Sequence, residues 1–191
     1  QTRFQRLRCC VRPFLRMRDR VSVPEPEEVG RWESLGVERG RIALVGSIKF
    51  DPENLPPSSA QPRAILEKFG IDPARPILLG GSTHPGEEEI LARVFLELRR
   101  EFADLFLISA PRHVERTREI AQQLRRLGLP PICRSEEETA PGPHDCLLLD
   151  TTGELRVWYA VATLVFVGKS LTARGGQNPV EAIVADRPVI F

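Results

Sequence analysis

The chain has 191 residues, 41% hydrophobic and 28% charged, the composition of a folded globular protein with room for one full domain and part of another. Its net charge of +1 is unevenly spread: residues 1–20 hold seven arginines and one aspartate, which leaves an acidic main body that calls for no nucleic-acid partner. Cys9, Cys10, Cys133 and Cys146 show no C-x-x-C spacing and no partnered histidines, so neither zinc nor a disulfide framework is indicated and a reducing cytoplasm fits best.

No signal peptide and no apolar run long enough to cross a bilayer is present. The chain starts at Gln1 without Met and stops at Phe191 inside an apolar run, so it is expected to be a fragment, and an anchor upstream stays open. Residues 1–20 place Phe4, Leu7, Val11 and Phe14 near helical spacing among arginines. That pattern suits a basic helix on an anionic membrane surface, or the end of a helix packed in a preceding domain; Pro13 interrupts it.

Val21 to Val23 reads as a strand, Glu27 to Leu35 as a short helix closed by Gly36, and Arg41 to Gly46 as a further strand. Residues 52–62, rich in proline and serine, mark a linker or surface loop. The alternation is then regular. Helices are expected near 62–69, 85–102, 114–127, 154–161 and 182–185. Strands are expected at 76–79, 105–109, near Ile132, and at 146–149, 164–167 and 188–191, with 135–145 a loop. Strands alternating with helices of this length imply a parallel sheet with helices on both faces, and such sheets bind ligands where loops leave the carboxyl ends of the strands.

Polar residues stand at those ends. Ser82, Thr83 and His84 follow two glycines at an expected helix start, where small residues and hydroxyls suit an anion; equally, Thr83 or His84 caps the helix, with Pro85 in its first turn. Glu87 to Glu89 would repel a phosphate unless they face away. Pro111-Arg112 offers a forked, permanently charged phosphate ligand, or a surface salt bridge. Thr151 and Glu154, around Thr152-Gly153, have capping-box spacing. Lys49 is the one cation of its loop, and a solvated lysine is the ordinary alternative.

Gly175-Gly176-Gln177-Asn178-Pro179-Val180-Glu181 organises the rest. Two glycines allow positive φ and close approach of a ligand to the main chain. Asn178 sits at an N-cap, Pro179 at the first helical position and Glu181 three residues after the cap. Either this is a capping box, or the amides hold a phosphate while the Glu181 carboxylate accepts from a ribose diol. The chain lacks both the Gly-x-x-x-x-Gly-Lys-Ser/Thr and the Gly-x-Gly-x-x-Gly loops, and no metal-ligand cluster is seen. What remains is a phosphate-bearing ligand held by amides and cations.

Five blocks come in one order: Gly46-Ser47-Ile48-Lys49-Phe50-Asp51, Ser82-Thr83-His84-Pro85-Gly86-Glu87-Glu88, Pro111-Arg112-His113-Val114-Glu115-Arg116, Asp150-Thr151-Thr152-Gly153-Glu154-Leu155 and the loop at 175–181. The series resembles the carboxyl-terminal half of the 3-deoxy-D-manno-octulosonic acid (Kdo) transferases of lipopolysaccharide synthesis, from about Val21 onward. The resemblance implies a GT-B α/β architecture with two Rossmann-like domains. Residues 1–40 would end the amino-terminal acceptor domain and form the junction, and 41–191 would be the donor-nucleotide domain, cut short at its end. It implies CMP-Kdo as donor, no cofactor or metal, and a lipid A precursor as acceptor. The location would be the cytoplasmic face of the inner membrane, reached through the amino-terminal half.

By the same resemblance Ser82, Pro111, Arg112, Thr152, Gly153, Glu154, Gly175, Gly176, Asn178, Pro179, Val180 and Glu181 bind the donor. Lys49 matches a lysine that stabilises the transition state, and the general base lies in the amino-terminal half. Ser47 and Gln177 stand where the family commonly has asparagine and histidine, and Gln177 offers hydrogen bonds but no titratable group. Pro24-Glu25-Pro26 replaces a more usual Gln-Ser-Glu. Two alternatives stay open on residues alone: another GT-B enzyme using a UDP-sugar, as glycosyltransferase or epimerase, and a nucleotide-binding module without chemistry.

Overall fold

The computed structural model describes residues 12–15, 17–46, 58–136, 143–172 and 175–191. The chain divides into two compact units, Gln1–Asn54 and Leu55–Phe191. In the first, β1 (Val21–Val23) leads into α1 (Pro26–Ser34), which opens on a proline at its first position and closes at Gly36, φ +98°. A parallel pairing then joins β1 to β2 (Ile42–Leu44), Val21 beside Ile42 and Val23 beside Leu44. Val23, Val29, Val37 and Ile42 form this unit's own small core. The sequence placed the boundary after residue 40 and β2 in the larger unit. Instead β2 stays with the first, because Ile42 has its apolar partners there and its backbone pairs with β1.

The second unit runs α2 (Ala60–Lys68), β3 (Ile77–Thr83), α3 (Glu87–Leu98), β4 (Phe106–Pro111), α4 (Thr117–Arg126), β5 (Ile132–Cys133), β6 (Cys146–Leu148), α5 (Leu155–Tyr159), β7 (Leu164–Val167), α6 (Val180–Val184) and β8 (Val189–Ile190). Its sheet has the order β5-β6-β4-β3-β7-β8 with every pairing parallel. Period-two alternation sends Ile77 and Leu79 to one core and Leu78 to the other. The first core gathers Leu66, Phe69, Trp158, Ala182 and Ala185 from α2, α5, α6 and the turns that end them. The second gathers Ala92, Phe95, Ile120 and Leu124 from α3 and α4. Both faces are therefore covered, as a parallel sheet requires.

Three expectations shift. β3 continues four residues past 79, through Gly80-Gly81-Ser82-Thr83, because it is central and paired on both sides. Its glycines serve packing rather than a turn: a Cβ on Gly80 would lie 2.6 Å from Leu91 Cδ1, and one on Gly81 would lie 2.6 Å from the Tyr159 hydroxyl. α3 accordingly begins at Glu87 behind Gly86, φ +92°; neither Thr83 nor His84 caps it, and Pro85 precedes it. It ends at Leu98, with residues 99–101 continuing as turns.

At the amino ends of the strands, Arg75 ties the sheet together. Its guanidinium donates to the carbonyls of Asp104 (2.8 Å), His144 (2.9 Å) and Leu105 (3.1 Å) and to Asp145 Oδ1 (2.7 Å). Burial alone would raise the Asp145 pKa, but the Arg99 and Arg75 guanidiniums outweigh it and hold the carboxyl below its ordinary value. The opposite rim is left to the loops. No described helix is long and apolar enough to cross a membrane.

Candidate functional site

At the carboxyl rim, β3, β4 and β6 deliver their last residues to one cleft of about 120 Å³, lined among others by Ser82, Pro111, Arg112, Thr151, Thr152 and Gly153. A break in register between Gly81 and Thr83 leaves Ser82 in the left-handed region, φ +53°. The Arg112 amide donates to Thr83 O (2.9 Å), which carries the β3–β4 pairing to the edge of the cleft. The Arg112 side chain is exposed and, among the described residues, is engaged by no carboxylate. On the far wall no described protein group accepts from the amides of residues 151–154. A cleft with one uncommitted guanidinium and unclaimed N–H groups is suited to an anion.

The glycine loop approaches the same rim. Gly175 and Gly176 have φ of +98° and +50°. The Gln177 amide donates to Gly168 O (3.0 Å), and Gln177 Nε2 lies 3.0 Å from His84 Nε2, next to the end of β3. Asn178 Oδ1 accepts from the Val180 amide (3.2 Å). That is a turn two residues long, not the expected capping box: α6 starts at Val180 behind Pro179, and no bond between Glu181 and Asn178 is found among the described residues. α6 is five residues long, so its macrodipole is small. Glu181 is felt by Tyr159: burial first, then the Glu181 carboxylate, pushes that phenol well above its ordinary range.

Two glutamates expected to repel a phosphate turn out to be buried fasteners. Glu87 is fully buried, and its carboxylate accepts from the amides of His84 (2.8 Å), Lys169 (2.9 Å) and Leu171 (3.1 Å), joining the loop after β3 to the loop after β7. Burial alone would raise its pKa; the amides of Lys169, His84, Leu171 and Thr172 outweigh that and hold it below its ordinary value. Glu88, 1% exposed, accepts from Thr83 Oγ1 (2.9 Å) and from two Arg116 nitrogens (2.9 and 3.2 Å). Gly168 completes the junction, for a Cβ there would fall 2.2 Å from Ser82 O.

The sequence contained a signal for Glu88. It lies on the helical stripe that continues with Leu91, Ala92 and Phe95, all buried. Arg116 and Arg134 carried no comparable mark. Arg134 Nε and Nη2 reach Glu154 Oε2 (3.1 Å) and Oε1 (3.3 Å), and Thr151 Oγ1 donates to Glu154 Oε2 (3.0 Å). The Glu154 side chain is thus committed within the protein, while Thr151, Thr152 and Gly153 of its loop line the cleft. Lys49 and Ser47 lie outside the described residues. Among the described residues no His, Cys, Asp and Glu gather as a metal-binding group.

A six-stranded parallel sheet with helices on both faces and an anion-suited cleft at the strand ends is the α/β architecture of a GT-B donor-nucleotide domain. HepE of Anabaena, solved with UDP and glucose, shares the fold at a TM-score of 0.51 and 18% identity, with 97% of this chain and 47% of that one covered. Nearer in sequence is the C-terminal CMP-Kdo binding domain of WaaA from Acinetobacter baumannii. It matches at a TM-score of 0.61 and 28% identity over 69% of this chain and 68% of that domain. The 3-deoxy-D-manno-octulosonic acid transferase of Bordetella pertussis is 36% identical over 176 residues, 90% of this chain. No family model matches.

Over most of its length, then, the chain is similar to the Kdo transferases, as the five blocks implied. It spans 40% of the length of the Bordetella relative and less than half of the others.

Proposed function

We propose that this chain supplies the donor site of a Kdo transferase: it holds CMP-Kdo while the sugar passes to a lipid A precursor in lipopolysaccharide synthesis. The observation that carries the reading is the convergence of Ser82, Pro111, Arg112, Thr152 and Gly153 on one cleft, in a chain similar to a CMP-Kdo binding domain. In the reaction the bond from the sugar's anomeric carbon to the phosphate oxygen breaks and a bond to the acceptor hydroxyl oxygen forms. The hydroxyl proton goes to a base outside this chain, and CMP leaves with the electron pair.

Charge grows on the departing phosphate, and the protein's part is to meet it. Arg112 faces the phosphate, the amides of 151–154 and the glycine loop surround the nucleotide, and Lys49 stabilises the transition state. Hydrogen bonds to charged groups are worth roughly 1.5–3 kcal/mol each, so these groups together supply about 5 kcal/mol, on the order of 10³–10⁴ in rate. The effect requires tighter binding to the leaving group than to the ground state. The reading needs no cofactor beyond the donor, and it places the protein at the cytoplasmic face of the inner membrane, where its acceptor is made.

Calorimetry of the chain with CMP and with UDP tests it. CMP is expected to bind more tightly than UDP, and Arg112→Ala to weaken CMP binding by about tenfold or more, the scale of one lost charge-assisted pair. No CMP binding, or a preference for UDP, refutes the donor assignment. Transfer itself is checked in a chimera carrying the amino-terminal part of the Bordetella relative, in which Lys49→Ala should lower kcat far more than it raises donor KM.

A further inference from the structure

The residues that line the cleft include no carboxylate, but the segments that supply them carry four, at 87, 88, 150 and 154. Glu87 and Glu88 are buried and satisfied by amides, a hydroxyl and Arg116. Asp150 accepts from the Ser135 amide (2.9 Å) and hydroxyl (2.5 Å). Glu154 differs from the buried pair. It sits between Gly153 and Leu155, both of which line the cleft, and its side chain keeps 24% of its surface exposed. What neutralises it is Arg134, itself 23% exposed, arriving from the turn after β5, a different strand from the one that carries Glu154. The arginine's own main chain is fixed by its amide donating to Leu148 O (2.9 Å), at the end of β6.

We infer that Arg134 is a positioning residue for the nucleotide phosphate: it cancels the Glu154 carboxylate, carried between two residues that line the cleft, and, with the Ser135–Asp150 bonds, holds the 151–154 loop so that its amides face an anion. Nothing in the composition of the loop provides for this. Thr151-Thr152-Gly153-Glu154 by itself carries one negative charge and no cation. The fold corrects the sign by bringing in a cation from an edge strand twenty residues away in sequence. Forked geometry matters too, since the two guanidinium nitrogens fix both carboxylate oxygens and leave the carboxylate turned toward β5.

The inference rests on the nucleotide reading above, and calorimetric titration of the full chain with CMP separates the two. Arg134→Ala should weaken CMP binding by about tenfold, equivalent to about 1.4 kcal/mol, with the loss shrinking as salt is raised. Adding Glu154→Gln to Arg134→Ala should recover part of the lost affinity, because the uncompensated charge is then gone. Arg134→Lys should retain most of the affinity. Near-ultraviolet circular dichroism of each variant confirms that it is folded, and the double variant keeps the test valid if Arg134→Ala alone is unstable.

If the unaltered chain does not bind CMP, the nucleotide reading fails and takes this inference with it. If the unaltered chain binds CMP while Arg134→Ala binds equally well, or while the double variant stays as weak as Arg134→Ala, the inference alone is overturned. In the second case the arginine would be only a structural tie.

Discussion

Replacing Glu87 by glutamine removes one charge and reverses one hydrogen-bonding atom at a fully buried position. The carboxylate accepts from three amides at 2.8–3.1 Å, two on Oε2 and one on Oε1, and the Thr172 amide also favours its charged form. Glutamine placed to keep its oxygen on the amides of His84 and Lys169 must aim its NH₂ at the Leu171 amide, donor against donor. Two bonds then fall from the charged to the neutral range, a loss of about 1 kcal/mol each, and one buried N–H is orphaned at roughly 1–3 kcal/mol. The sum is about 3–5 kcal/mol, a large part of a typical domain stability of about 5–15 kcal/mol. In urea titration, with a slope of about 2 kcal/mol/M, the midpoint should drop by about 1.5–2.5 M.

The deficit also has a pH signature. The Glu87 pKa is depressed in the folded state, so its contribution is complete above the unfolded-state value of about 4.3 and is lost as pH falls through the folded-state value. The stability gap between parent and Glu87→Gln should therefore be constant from pH 7 to about 5 and narrow below about 4.5. A gap under about 1 kcal/mol at pH 7, or one that does not narrow on acidification, would refute the assignment of Glu87 as an ionised fastener.

Gly168→Ala should destabilise the second unit by about 3 kcal/mol and weaken CMP binding, because the obstacle at 2.2 Å is main chain that cannot rotate away; urea titration and calorimetry of the variant check both. Burial, then Glu136 and Asp150, raises the Cys133 thiol to about 11, so alkylation by iodoacetamide, followed on its tryptic peptide, should keep accelerating between pH 7 and 9.5 without a plateau. Cys146, fully buried, should stay unlabelled over the same range until denaturant is added.

The sheet was readable because its strands are apolar runs of fixed period separated by proline and glycine: Leu164 to Val167 appears with the expected ends. Gly80-Gly81 was misread for a physical reason. A glycine pair signals a turn only where the chain needs positive φ, whereas here glycine is demanded by the approach of Leu91 and Tyr159, residues brought close by the fold and not by spacing. The site divides in the same way. Ser82 and Pro111 stand at the ends of β3 and β4, Arg112 follows β4, and Thr152 and Gly153 lie in the loop after β6, so locating the strands locates them. Arg134 and Arg116 reach Glu154 and Glu88 across twenty and twenty-eight residues, and no local pattern carries such a pairing. Asn178 was expected as the N-cap, but Pro179 takes that position and the Asn178 side chain instead closes a two-residue turn on the Val180 amide.

The way Glu87 grips its neighbours has an evolutionary corollary. It bonds to peptide nitrogens at positions 84, 169 and 171 and to no side chain there, so the bonds themselves ask nothing of the side chains at 84 and 171, while the left-handed backbone at Lys169, φ +67°, disfavours branched residues at 169. Mutation can rewrite what the loops present to a bound molecule while the joint beneath them survives. A single inherited carboxylate thereby frees its surroundings to diversify.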